Sequence, residues 1–233
     1  MWCLTPAAKK SAAAATLAAC LLLPLAGCAA SEPQRPLIVV TTNILGDVVS
    51  EIAGGQAEVV TLMRPNADPH SFEISAQQAA RMQSADLLVS NGLGLEEGLQ
   101  QHLDSAAHAG VTQLVAGDVI ETIDYSSEAS GSATPDPHFW TDPAQMIAVA
   151  RAIGHATAGI DGVDPQQIAR STASYVGELE QLESEMQGAF DGIEPQHRKL
   201  VTNQRSQGMR MGLRGHGHDG SGDGPVSGAG NHD

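Results

Sequence analysis

From Pro36 onward, short β-branched and apolar runs alternate with longer stretches in which apolar residues recur every three or four positions. The runs are Leu37–Thr42, Ala57–Met63, Asp86–Ser90 and Val111–Val115. Because they are apolar on both faces, they predict buried parallel strands. The stretches between them, Gly46–Ala53, Ser75–Ala85 and Leu95–Ala107, predict helices, the second opening with Ser75 and Gln78 at capping-box spacing. A fourth helix, Asp142–Ala158, starts with a capping Asp and a Pro at its first position, and it sets Met146, Ala150, Ile153 and Thr157 on one face. Asp164-Pro165 repeats that start signal. The helix it opens carries Ile168, Tyr175, Leu179, Leu182, Met186 and Phe190 at helical spacing and stops near Asp191-Gly192. At about 1.5 Å per residue it is roughly 40 Å long. A coiled-coil arm is the alternative, but its stripe is short and the flanking charges are almost all acidic. Strands and helices in this order predict an α/β lobe with helices on both faces of a sheet.

Within that pattern one tripeptide occurs twice, as Asp68-Pro69-His70 and Asp136-Pro137-His138, the histidines 68 residues apart. Proline lacks an N–H, fixes its own φ and pushes the residue before it towards extended geometry, so each imidazole is presented from a stiff, non-helical corner. A ligand with few rotamers to lose binds a metal more tightly, which makes His70 and His138 candidate metal ligands. The plainer alternative is a pair of loop histidines following turn-forming Asp-Pro. His70 falls just after the second predicted strand, and open α/β sheets bind ligands beyond the carboxyl ends of their strands. His138 follows a Ser-, Gly- and acid-rich loop, Asp124–Pro135, and precedes Phe139-Trp140. Those aromatics either shield a metal or anchor the loop to the core.

The N-terminus fixes the compartment. Lys9 and Lys10, the apolar run Ala12–Leu23 and Leu25-Ala26-Gly27-Cys28 form an export signal, too short and interrupted to span a bilayer of about 30 Å. Small residues before Cys28 resemble a lipobox, so residues 1–27 are expected to be removed and Cys28 to carry lipid, with 28–36 as a tether; the alternative is a soluble secreted protein in which Cys28 is incidental. Cys3 and Cys20 leave with the signal, so no disulfide and no thiolate ligand remain. Any transition metal must then be held by imidazole and oxygen, which suits Zn²⁺ or Mn²⁺. The exported chain keeps ten basic against 27 acidic residues, and so acidic a surface repels nucleic acid.

Four motifs in order carry a family resemblance: Thr41-Thr42-Asn43-Ile44, the segment Met63–Glu73, Asn91-Gly92-Leu93-Gly94-Leu95-Glu96, and Asp136-Pro137-His138-Phe139-Trp140-Thr141-Asp142-Pro143. From Leu37 to Asn203 the chain resembles the zinc/manganese solute-binding lipoproteins of ABC importers (cluster A-I type). The resemblance implies two α/β lobes joined by one long helix, here within 163–192, with metal in the cleft between them. It makes His70 and His138 the ligands of the first lobe, 37–162. The implied partners are a divalent metal ion, a permease in the cytoplasmic membrane and the membrane itself through a lipid anchor, the protein being a monomer on the outer face of the cell membrane. In the family the strand matching Lys199–Thr202 leads to an Asn and then a His ligand, where this chain has Gln204.

Beyond Asn203 no family match is expected. Residues 203–233 hold nine of the 25 glycines and no apolar periodicity, the composition of a disordered tail. The expected fold class is therefore the first lobe of a two-lobe periplasmic-binding-protein-like α/β fold with its linker helix and the first strand (193–203) of a second lobe that is otherwise missing, through frameshift or truncation. His216, His218, Asp219, His232 and Asp233 could instead make the tail a metal scavenger, at an ordering cost of about 1–2 kcal/mol per residue. Neither an H-E-x-x-H helix nor a G-x-S-x-G elbow occurs, so an enzyme is not expected. A structural or adhesive lipoprotein is the remaining alternative.

Overall fold

The computed structural model describes residues 35–122, 124–126 and 133–198. Its sheet has four parallel strands, β1 (Leu37–Val40), β2 (Glu58–Thr61), β3 (Leu87–Ser90) and β4 (Thr112–Val115), in the order β2-β1-β3-β4. The central strands are apolar on both faces because both faces are covered. Ile38, Val40, Leu87 and Val89 point into one buried layer, and Val39 and Leu88, one residue out of phase, into the other. The first layer lies under α1 (Asn43–Ala53), α4 (Pro143–Ala158) and α5 (Pro165–Asp191); the second lies under α2 (Ala76–Gln83) and α3 (Gln100–His108). The α/β lobe with helices on both faces is thus present. Every ladder is shorter than its apolar run, since Thr41-Thr42 and Leu62-Met63 carry the chain off the sheet into loops.

Local signals act as the sequence predicts at three helix starts. Ser75 Oγ accepts the amide of Gln78 at 3.2 Å while Gln78 Oε1 accepts that of Ser75 at 2.9 Å, a complete capping box. Asp142 caps α4 through the amide of Ala144, and Asp164 caps α5 through that of Gln166. Two expectations are corrected. Leu95–Ala107 is not one helix: residues 91–96 form a loop, Glu97–Leu99 a 3-10 turn, and only Gln100–His108 is α-helical. Just before this stretch, Gly92, Leu93 and Gly94 all take positive φ (77°, 56° and 75°), so the chain enters Leu95 from a turn. The segment Asp124–Pro135 is also not wholly loop, since β5 (Asp124–Ser126) pairs antiparallel with β6 (Ala133–Pro135) and delivers the chain to Asp136.

Of the six apolar positions expected along α5, Ile168 is fully buried and Tyr175 and Leu179 are half-buried against the α1–α4 layer, with Val176 buried beside them. Gly154 of α4 lets α5 approach so closely that any β-carbon there would meet the side chain of Thr172. Past Leu179 the helix outruns this layer, and Leu182 is 44 % exposed. Cys28, the signal 1–27, the strand Lys199–Thr202, Gln204 and the histidines of the tail lie outside the described residues.

Candidate metal centre

In this strand order the chain leaves β1 for β2 on one side and reaches β3 on the other, so the switch point lies between β1 and β3. A crevice opens there, beyond the carboxyl ends of the strands, as such sheets require. It is a cavity of about 280 Å³ whose lining includes Thr42, Met63, His70, Leu95, His138 and Trp140.

The two tripeptides form similar corners with one difference. Asp68 Oδ1 accepts the backbone amide of His70 at 3.0 Å and its Oδ2 accepts the Ser71 hydroxyl at 3.2 Å. The His70 N–H holds the Asp68 carboxyl below the ordinary carboxylate range. Asp136 Oδ1 accepts the His138 amide at 3.0 Å and, in addition, His138 Nδ1 at 2.8 Å. An Nδ1–H donated to a carboxylate leaves Nε2 as the free lone pair, the arrangement that orients a metal-ligating imidazole. Asp136 is 6 % exposed, so this orientation is set in a partly desolvated pocket.

The rings converge. His70 Nε2 lies 3.2 Å from His138 Nε2, with ring centroids 5.3 Å apart and planes at 54°. Two imidazole nitrogens at about 2.05 Å from one tetrahedral Zn²⁺ would stand about 3.3 Å apart, so the pair is already spaced for a shared ion. His70 is exposed and His138 half-buried. Among the described residues no cluster of three or more His, Cys, Asp or Glu could hold a metal, so the centre as described is a two-imidazole half-site open to further ligands.

The two aromatics divide the roles weighed for them. Phe139 is fully buried in the core and anchors the loop, while Trp140 lines the cavity and meets the His138 ring edge-on at 5.2 Å and 65°. Three further residues, present in the quoted motifs but with no role assigned there, matter. Asp136 orients a ring, and its signal was available as an acceptor two residues before the histidine. Glu96, 5 % exposed, accepts Thr41 Oγ1 and the amides of Asn91 and Gly92. Thr42, the N-cap of α1 and part of the first motif, lines the cavity with a buried Oγ1 that has no hydrogen-bond partner among the described residues.

The model of the family described as zinc-uptake complex component A, periplasmic, matches residues 38–221. The match runs past Asn203, so the family likeness extends beyond the end expected from the motifs. The chain is 28 % identical over 213 residues to the manganese ABC transporter substrate-binding lipoprotein PsaA of Streptococcus pneumoniae, covering 84 % of this chain and 66 % of that protein. It is 25 % identical over 183 residues to the iron ABC transporter substrate-binding lipoprotein MtsA of Streptococcus pyogenes, covering 76 % and 59 %. Its fold superposes on the periplasmic zinc-binding protein TroA of Treponema pallidum with a TM-score of 0.63 at 22 % identity, covering 70 % of this chain and 58 % of that one. The Mn-bound periplasmic metal-binding protein of Candidatus Liberibacter asiaticus also gives 0.63 at 22 % identity, covering 70 % and 60 %. The chain therefore spans from 59 % to 66 % of the length of these two curated relatives.

Proposed function

The chain belongs to the family of the periplasmic zinc-uptake complex component A, and from that premise we propose that it captures Zn²⁺ or Mn²⁺ outside the cytoplasm for an ABC importer. The observation that carries the proposal is the 3.2 Å approach of His70 Nε2 to His138 Nε2 at the sheet switch point. The histidines supply the first two ligands, Asp136 keeps the His138 lone pair aimed at the ion, and the open side of the cavity admits the rest of the coordination shell. Lobe 37–162 then holds the ion in a cleft completed beyond the linker helix 163–192, and delivers it to a membrane permease. Lipidation at Cys28 after loss of 1–27 would tether the protein beside that permease, and relatives named lipoproteins support this part of the reading. The relatives named here are substrate-binding components, which supports binding and delivery in place of catalysis. Imidazole donors favour Zn²⁺, and added carboxylates would shift the preference towards Mn²⁺.

The test is Zn²⁺ and Mn²⁺ titration calorimetry on the full chain and four variants, the two single histidine substitutions, their combination and a deletion of Gly215–Asp233. His70→Ala and His138→Ala should each weaken binding at least tenfold, and the double variant should lose little more, since either loss already disables a chelate. Binding that survives the double variant and disappears only on deleting Gly215–Asp233 would move the site to the tail histidines and overturn the assignment.

A further inference from the structure

The sequence Asn91-Gly92-Leu93-Gly94-Leu95-Glu96 stands next to the metal cavity without touching the candidate ion, yet it contains two of the most buried polar side chains of the lobe. Asn91 is 1 % exposed and Glu96 5 %. We propose that Asn91 and Glu96 are positioning residues that brace the two histidine loops against each other and thereby set metal affinity. This rests on the metal-capture reading of the site.

The brace is continuous. The Met63 amide, at the root of the loop that carries His70, donates to Thr41 O at 3.0 Å. Thr41 Oγ1, fully buried, donates to Glu96 Oε1 at 2.6 Å. The same oxygen accepts the Asn91 amide at 2.7 Å, and Glu96 Oε2 accepts that of Gly92 at 3.1 Å. Asn91 Nδ2 then donates to Pro137 O at 3.1 Å, the carbonyl immediately before His138. The path therefore runs from Met63, where the loop to His70 begins, to Pro137 beside His138, across the carboxyl ends of β1 and β3. Burying a carboxyl group is costly unless its acceptors are filled, and here three donors fill them. Apolar packing would hold the loop down but leave its orientation loose, whereas directed hydrogen bonds fix one geometry. The positive φ of Gly92, Leu93 and Gly94 lets the chain fold back so that Glu96 reaches the amides of Asn91 and Gly92. A metal chelated by two loops depends on their mutual distance, so loosening either end of the brace spreads the nitrogens from their 3.2 Å separation.

The experiment uses the full chain with Asn91→Ala, and Glu96→Gln as a near-isosteric second variant should the first not fold. Zn²⁺ affinity is read by competition with a chromophoric chelator, and amide exchange of the metal-free protein by mass spectrometry. Asn91→Ala should weaken Zn²⁺ about 10–100-fold, the range for partners behind a metal ligand. In a His138→Ala background the same substitution should change affinity less than about twofold, because its effect passes through His138. Exchange should rise at residues 136–142 and stay constant in α4 and α5. Unchanged affinity, or equal losses in both backgrounds, would overturn the brace. If the parent binds no Zn²⁺, or binds it without His70 and His138, the metal reading fails instead; the exchange measurement then decides alone, and unchanged exchange at 136–142 rejects the brace.

Discussion

At the scale of single residues, the two Asp-Pro-His corners are alike in sequence and unequal in structure. Asp68 holds only the backbone amide of His70 and a neighbouring hydroxyl, whereas Asp136 also takes the ring N–H of His138. The exposed carboxylate does a turn's work; the buried one selects a tautomer. Asp136→Ala should therefore lower Zn²⁺ affinity about 10–100-fold, while Asp68→Ala should lower it no more than about threefold, since a solvated turn retains other ways to satisfy one amide. Parallel chelator titrations of the two variants check this, and equal losses would mean that both aspartates act only on backbone shape. Trp140, edge-on to the His138 ring, supplies an intrinsic fluorescence signal for the same titrations.

At the scale of elements, α4 and α5 cross at Gly154, where a β-carbon would collide with Thr172. The contact matters because Ile153 of α4 and Ile168 of α5 are both fully buried in this layer. Gly154→Ala should destabilise the protein by about 1–3 kcal/mol through overpacking, despite the better helix propensity of alanine. Thr172→Ala in the same chain should recover part of the loss, and denaturant unfolding of the single and double variants measures both effects. Full additivity would mean that the two helices separate freely.

At the scale of the whole molecule, α5 divides into a half that belongs to the lobe and a half that runs beyond it. Ile168 is fully buried and Leu182 44 % exposed although both fall on the stripe expected from the sequence. Ile168→Ala should cost about 2–5 kcal/mol, and Leu182→Ala less than about 0.5 kcal/mol. Amide exchange along the helix should show the same division, slow around Val176 and faster from about Glu183 to Asp191. Uniform protection would mean that the distal half is covered in solution.

The lobe was legible in the chain because its information is local. Two-sided apolar runs such as Leu37–Thr42 can be satisfied only inside a covered parallel sheet, and Ser75 with Gln78, Asp142-Pro143 and Asp164-Pro165 each fix a helix start through amides two or three residues away. The repeated tripeptide likewise marked His70 and His138, since the proline constraint that stiffens each corner is covalent. What the sequence left open depends on distance through space. That the histidines meet at 3.2 Å follows from the order β2-β1-β3-β4, which brings the loop after β2 and the segment that returns from β4 through β5 and β6 to one crevice over the switch point. The helix expected from Leu95 was lost because Glu96 is claimed by Thr41, 55 positions earlier, and by the amides of Asn91 and Gly92. Periodicity cannot report such a demand, because a hydrogen bond to a distant strand leaves no mark on the spacing of apolar residues.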